Sequence, residues 1–301
     1  MRDGLVVVDK PAGWTSHDVV ARLRGAYHQR RIGHAGTLDP DATGVLLVGL
    51  GQATRLLRFL QDAGKSYRGV VVFGIETSTL DAAGDEVRRV DMTPTREQVE
   101  RAARGFVGEI DQVPPMVSAI KVGGQRLHAL ARRGEEVVRA PRRVRVDRFD
   151  VEDLGPGPYP RSTVRVACSS GTYVRSLAAD LGAALGGCAH LGSLRRESVG
   201  SFTLAEAHPL DEVLVRPDAC VLPLLEAVRD LPRVEVDDDT ARRVRHGAPL
   251  GTGVHAQPGA SDAPLPPGPV AVVGPGSVLL GVYEAGPECL RPLVVLVAPP
   301  A

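Results

Sequence analysis

Lysine is almost missing from this chain: Lys10, Lys65 and Lys121 are the only three among 36 Lys and Arg residues. The scarcity is a coding bias. A flexible ammonium is not equivalent to a planar guanidinium, however, so each survivor marks a position where arginine fits poorly. Cysteine is sparse as well. Cys168, Cys188, Cys220 and Cys289 form no C-x-x-C pair, which argues against a zinc ribbon or a disulfide framework. The longest apolar runs, such as VLLVGL and LVVLVAPP, fall well short of the ~20 residues of a bilayer-spanning helix. An acidic residue and a proline come too early in MRDGLVVVDKP for a signal peptide, so a soluble, cytoplasmic protein is expected. Formal net charge is zero, and bulk charge therefore points to no polyanionic partner. G-x-S-x-G, H-E-x-x-H and P-loop motifs are all absent, so the expected chemistry uses neither metal nor nucleotide cofactor.

What is present has a clear order. The 301 residues allow one large domain or two. LVVVDKPAG reads as a strand closed by a Pro-Gly turn, followed by an amphipathic helix in HDVVARLRGAY with Ser16 as its N-cap. VLLVGL reads as a strand and QATRLLRFLQDAG as a helix ending at Gly64. The strand YRGVVVFGI leads to the turn-rich STLDAAGDE. TREQVERAARGFVGEI reads as a helix capped by Thr95 with Gln98 three residues on. VRVDRFDVEDL and STVRVACSSG are strands, and TYVRSLAADLGAALG is a helix. Strands and helices interleave too irregularly for a βαβ repeat, so a mixed sheet is expected. Beyond Leu231-Pro232 the texture changes to a short helix and short strands punctuated by Gly and Pro, the pattern of a small β-rich module. The expected boundaries are 1–232 and 233–301, with a Gly/Pro-rich loop at 251–269.

Several local signals dissolve on inspection. GLGQAT lacks the third small residue and the later acid of a dinucleotide fingerprint. Asp237, Asp238 and Asp239 suit the N-terminus of the helix that follows them. Cys188 and His190 have no second ligand pair and suit core packing. From Lys121 to Arg148 basic residues outnumber acidic ones, a stretch suited to a polyanion or to a solvated face.

The stretch GHAGTLDPDATG, residues 33–44, is the least ordinary part of the chain, a loop crowded with special backbone residues around Asp39 and Asp41. On its residues alone each aspartate reads as a turn former. The stretch nevertheless resembles the catalytic motif of pseudouridine synthases, specifically the TruB family, whose pattern reads approximately G-H-x-G-x-L-D-P-x-A-T-G. Four other segments resemble the same family in the same order: LVVVDKPAGWTSHDVV, KSYRGVVVFG, PPMVSAIKVGGQRLHALAR, and SSGTYVRSLAADLG with its continuation CAHLGSLRR.

The resemblance implies an α+β fold with a mixed, largely antiparallel sheet, flanking helices and a small C-terminal PUA-like domain. It implies isomerisation of uridine 55 in the tRNA T loop to pseudouridine on a flipped-out base, without metal or organic cofactor. Asp39 falls on the family's catalytic aspartate, and Asp41 on a position that the pattern leaves open. Arg175 would pair with Asp39 and keep it ionised against desolvation. Tyr67 would stack on the uracil or take part in proton transfer, Tyr173 and Leu194 would line its pocket, and His34 would enter the distorted T loop. Lys10, with Pro11 and Lys121, would support the pocket or meet RNA phosphate. The implied partner is the tRNA T arm, met by a monomer with no obligate protein partner, guide RNA or membrane. Two alternatives stay open: the related guide-RNA-dependent synthase, and an RNA-folding protein of the tRNA elbow that acts independently of catalysis.

Overall fold

Leu5, Val6, Val7 and Val8 are all buried, on both faces of one strand, so the N-terminal segment can only be interior to a covered sheet. That is its place in the computed structural model, which describes residues 2–118, 121–122, 125–126, 133, 135, 137–251 and 265–296. The chain opens with β1 (Gly4–Lys10), α1 (Ser16–Ala26), β2 (Ile32–Ala35), β3 (Thr43–Leu50), α2 (Leu57–Gln61) and β4 (Lys65–Phe73). A ribbon of β5 (Ile75–Thr77) and β6 (Glu86–Arg89) precedes α3 (Arg96–Arg104) and β7 (Gly108–Gln112). The short pair β8 (Lys121–Val122) and β9 (Gln125–Arg126) leads to β10 (Arg142–Val151), β11 (Arg161–Cys168), α4 (Val174–Ala184) and β12 (Ala189–Val199). β13 (Phe202–Thr203), β14 (His208–Pro209) and α5 (Leu210–Val215) follow, then β15 (Arg233–Glu235), α6 (Asp238–Arg245), β16 (Leu250–Gly251), β17 (Gly268–Gly274), β18 (Val278–Ala285) and β19 (Cys289–Val295).

The main sheet runs β14-β1-β3-β12-β4-β11-β10-β7, with β2 on β3 and β13 on β12. Its pairings are antiparallel except β1 with β14 and β3 with β12. The expected mixed, largely antiparallel sheet is therefore what forms. Helices α3 and α4 pack on β4, β10, β11 and β12 through Val99, Ala103, Leu177 and Leu181. Helix α1 packs through Val19, Val20 and Leu23 on Val6, Val8, Leu46 and Val48. The second sheet, β15-β17-β18-β19-β16, contributes Ala271, Val273, Leu279 and Val282 to the same apolar cluster as Leu5, Val7, Leu47 and Leu56.

Four local expectations are corrected. The N-cap of α1 is Thr15, whose hydroxyl accepts from Asp18 N while the Asp18 carboxylate accepts from Thr15 N. Ser16 is committed elsewhere, to the backbone of Leu38. The helix expected over 52–64 is a 3₁₀ turn at Gly51–Arg55 followed by α2, because the Asp3 carboxylate holds both the backbone and the side-chain amide of Gln52. The helix expected over 95–110 stops at Arg104: Gly105 caps it and Gly108, at φ +112, turns the chain into β7. The first residues of the GHAGTLDPDATG stretch are strand, with His34 paired to Val48. Asp237 does cap α6, accepting from Thr240 N at 2.8 Å. Residues 252–264 of the 251–269 loop and the side chain of Lys121 lie outside the described residues.

One close approach fixes the end of the loop. Gly44 has φ +104, and a Cβ there would fall 2.2 Å from the Arg196 carbonyl oxygen, where β3 runs parallel to β12 in the register Arg196–Gly44. Gly13, at φ +78, has open space around it. Gly44→Ala is therefore expected to destabilise the fold by roughly 3 kcal/mol or more in urea unfolding, and Gly13→Ala by only about 1–2 kcal/mol of backbone strain.

Candidate active site

The loop after β2 is held in place before any side chain points into a cavity. Ser16 Oγ accepts from Leu38 N at 2.9 Å, and Pro40 O accepts from Gly13 N at 3.0 Å. Ala42 N closes a turn on Asp39 O at 3.1 Å. Lys10 is fully buried, and its ammonium donates to the carbonyls of Pro11 (2.8 Å), Trp14 (2.6 Å) and Pro40 (2.8 Å). Burial lowers its pKa to about 8. Lys10 therefore latches the β1 turn to the loop, and with all three donors spent inward it does not meet substrate directly. Arg196 closes the other side, donating Nε to Val45 O at 2.7 Å and its terminal nitrogens to the carbonyls of Gly36 and Thr37.

This scaffold presents Asp39 to Arg175, in the first turn of α4. Arg175 Nε lies 3.1 Å from Asp39 Oδ2 and its Nη2 3.3 Å from Oδ1. The pairing is bidentate, the geometry in which a guanidinium binds a carboxylate best. The same guanidinium reaches Asp81 Oδ2 at 3.2 Å through Nη1 and donates to the carbonyls of Thr79 (3.2 Å) and Val117 (2.9 Å). The Arg175 side chain is 6% exposed; that of Asp39 keeps 44% of its surface open toward the cavity. Protein nevertheless crowds the carboxylate closely enough that desolvation raises its pKa above the ordinary value, with Arg175 opposing the shift and Asp81 adding to it.

A cavity of about 290 Å³ opens over this pair, lined by Asp39, Tyr67, Tyr173, Arg175, Leu194 and Arg196 among others. Its size is at the small end for ligand pockets. Five of the residues singled out from sequence, Asp39, Tyr67, Tyr173, Arg175 and Leu194, thus meet in one place, whereas His34 and Lys10 are not part of the lining. Tyr67 is almost fully buried, and desolvation raises the pKa of its phenol while Arg196 opposes. The backbone of Tyr173 is fixed by Gln112, which accepts from Tyr173 N at 2.8 Å and donates to its carbonyl at 3.1 Å. His34 stands edge-on to His17, with ring centroids 5.3 Å apart, and its Nδ1 is buried without a hydrogen-bond partner among the described residues. Burial and then His17 lower its pKa, favouring the neutral ring. Asp41 is exposed. A second cavity of about 260 Å³ shares Asp39, Arg175 and Leu194 and extends along Pro40–Ala42 and Asp81–Ala83.

Sequence reasoning missed Asp81, Arg196 and Gln112. For Asp81 a signal existed: the tripeptide Thr-Leu-Asp occurs at 37–39 and again at 79–81, and Arg175 holds both aspartates. Among the described residues one group with metal-ligand chemistry, His208, Glu212 and Cys220, brings its ligand atoms within 4.8 Å, and it is not part of the cavity.

The family model for the TruB family pseudouridylate synthase N-terminal domain matches residues 24–174. The tRNA pseudouridine synthase B of Mycobacterium sp. (strain KMS) is 45% identical over 302 residues, covering 97% of this chain and 96% of that protein. That of Thermobifida fusca (strain YX) is also 45% identical, over 98% of this chain and 99% of its own. Among solved structures, a chain of an H/ACA RNP bound to a substrate RNA containing 2′-deoxyuridine superposes with a TM-score of 0.73 at 26% identity, covering 99% of this chain and 85% of that one. A chain of a Cbf5-Nop10-Gar1 complex gives 0.72 at 27%, covering 98% and 84%. The fold is that of a pseudouridine synthase, and the protein is an isomerase. The chain belongs to the TruB family.

The Ser16 latch is testable by itself. Ser16→Ala leaves the buried amide of Leu38 without its acceptor, which should cost about 1–3 kcal/mol and selectively speed hydrogen exchange at Leu38.

Proposed function

We propose that this protein isomerises uridine 55 in the T loop of tRNA to pseudouridine, with Asp39 as the nucleophile. One observation carries the assignment: the loop's buried-side aspartate, held bidentate by Arg175, faces the cavity lined by Tyr67 and Leu194. The reaction breaks the bond between ribose C1′ and uracil N1 and rejoins the ring through C5. A proton leaves C5 and N1 gains one, so no redox partner is needed. Asp39 must attack as a carboxylate, and Arg175 offsets the desolvation that would protonate it. Asp81 positions that arginine from its far side. Attack at C1′ gives an ester between Asp39 and the ribose, and attack at C6 gives an adduct of the base. In either form Asp39 is bonded to one fragment, and the closed pocket retains the other while the ring turns.

Tyr67 supplies the ring on which the flipped uracil stacks and the hydroxyl near the departing C5 proton. Leu194 supplies an apolar wall, and Tyr173 the rim that Gln112 fixes. His34, neutral and with an unsatisfied nitrogen, enters the T loop where the uridine has left its stack. Lys10 supports the loop from behind. In the basic stretch ending at Arg148, Arg143, Arg145 and Arg148 pair with Glu109, Asp147 and Asp150. Residues 233–301 form a PUA-like module whose candidate RNA contacts are Arg242, Arg243, Arg245 and His246, all exposed; residues 1–232 form the catalytic domain. The enzyme works as a cytoplasmic monomer without a guide RNA. Relatives named tRNA pseudouridine synthase B that match this chain nearly end to end support the stand-alone reading over the guide-dependent one. No helix among the described residues is long and apolar enough to cross a membrane.

Release of tritium from C5 of uridine in an unmodified tRNA transcript tests the assignment. Wild type and Asp41→Asn should release it, Asp39→Asn should not, and Arg175→Met should fall about 100-fold or more. Tight tRNA binding without release by wild type would instead favour the RNA-folding function.

A further inference from the structure

Two more cations line the cavity, and the Asp39–Arg175–Asp81 network uses neither. Lys65 is 9% exposed and Arg196 1%. Lys65 donates its ammonium to the carbonyls of Gln61 (2.9 Å) and Ala63 (2.8 Å). Arg196 donates to the carbonyls of Val45, Gly36 and Thr37 and stands opposite Tyr67, its cross-strand partner in the β12–β4 register, whose phenol acts on it electrostatically. Among the described residues no acidic side chain lies within ion-pair distance, 4.0 Å, of either. Asp62, at the end of α2, acts on Lys65 across a longer gap, and Cys168 of β11 faces it as well. The two cations converge at Gly36: a Cβ there would lie 3.6 Å from Lys65 Cε and 3.7 Å from Arg196 Nη1. Gly36 itself lines the cavity, so glycine at this point leaves the pair uncovered.

Buried positive charge without a counter-charge is costly, and the cost is relieved when an anion arrives. Where the charge develops only during reaction, such groups stabilise the transition state more than the ground state. We propose that Lys65 and Arg196 form an electropositive floor that stabilises the negative charge developing on the uracil ring while its bond to ribose is broken and remade. The proposal rests on the isomerase function above and holds for either point of attack. If Asp39 attacks C1′, the C1′–N1 bond breaks with its electron pair staying on the ring, shared between N1 and the carbonyl oxygens. If Asp39 attacks C6, the ring double bond opens toward C5 and O4. Rejoining at C5 returns the pair to the new C1′–C5 bond and frees Asp39, and the C5 proton leaves as N1 is protonated.

The pH dependence gives the floor its own signature. Burial, reinforced by Arg196, lowers the pKa of Lys65 to about 8, with Cys168 and Asp62 opposing. The ammonium is present below that value and lost above it, whereas the Arg196 guanidinium stays charged. The wild-type rate on a tRNA transcript should therefore decline through a midpoint near 8. Lys65→Met should lower kcat about 100-fold with KM within about 2-fold and abolish that midpoint. Lys65→Cys carrying an aminoethyl group on its sulfur, which rebuilds an ammonium at lysine length, should restore most of kcat and bring the alkaline midpoint back. A Lys65→Met enzyme that retains near-wild-type kcat, loses only KM, or keeps the alkaline midpoint would overturn the proposal. In the last case Lys10, also lowered to about 8, would be the titrating group. Activity in the aminoethylated Lys65→Cys no higher than in Lys65→Met would overturn the proposal and assign Lys65 to helix-end packing alone. A wild type that releases no tritium would overturn the isomerase function itself, a separate failure.

Discussion

The site depends on one guanidinium serving two carboxylates. Arg175 is almost completely buried, and the structure spends every direction of its planar fork: Nε and Nη2 toward Asp39, Nη1 toward Asp81, and the remaining donors toward the carbonyls of Thr79 and Val117. Such a cation cannot swing away to another partner, so the carboxylate in front of it is oriented as well as neutralised. Opposing forces act on that carboxylate, and desolvation is the largest of them. Desolvation raises the pKa of Asp39, Asp81 adds to the rise, and Arg175 with help from Lys10 pulls it down. A carboxylate so placed is poorly solvated when it is ionised, the state in which a carboxylate is most reactive toward carbon.

Most of the fold serves to bring three distant chain segments to that point. The loop after β2 carries Asp39, the turn after β5 carries Asp81, and α4 carries Arg175. β12 lies between β3 and β4 and places Leu194 and Arg196 at the cavity between them. The parallel pairing of β3 with β12 is short and sits at the end of the loop, where Gly44 permits two backbones to touch. The second sheet shares an apolar cluster with the first, and Arg55 donates to the carbonyl of Val295 across the same junction.

Much of this was legible in the residues. The strands VLLVGL, YRGVVVFGI and STVRVACSSG announced themselves by apolar content, and the Thr95–Gln98 capping box by its spacing. The aspartate that matters could not be chosen from composition, since Asp39 and Asp41 are two residues apart in the same loop; the resemblance made the choice. Asp81 escaped because a Thr-Leu-Asp in a turn looks like turn chemistry until Arg175, far away in sequence, is seen to hold it. Lys10 was half legible. Its rarity marked it, but whether it faced RNA or protein depended on a carbonyl of Pro40 that only the folded loop supplies. Ser16 was mistaken for a cap because a helix start offers two hydroxyls, and tertiary demand from Leu38 decided between them.

The central claim is that Asp39 has its ionisation set by burial against Arg175. The most direct measurement is an NMR titration of the Asp39 carboxyl carbon in protein labelled at aspartate. The account predicts a midpoint above the ordinary aspartate value of 3.8, raised further in Arg175→Met and lowered in Asp81→Asn. A midpoint at the ordinary value, indifferent to both substitutions, would contradict it.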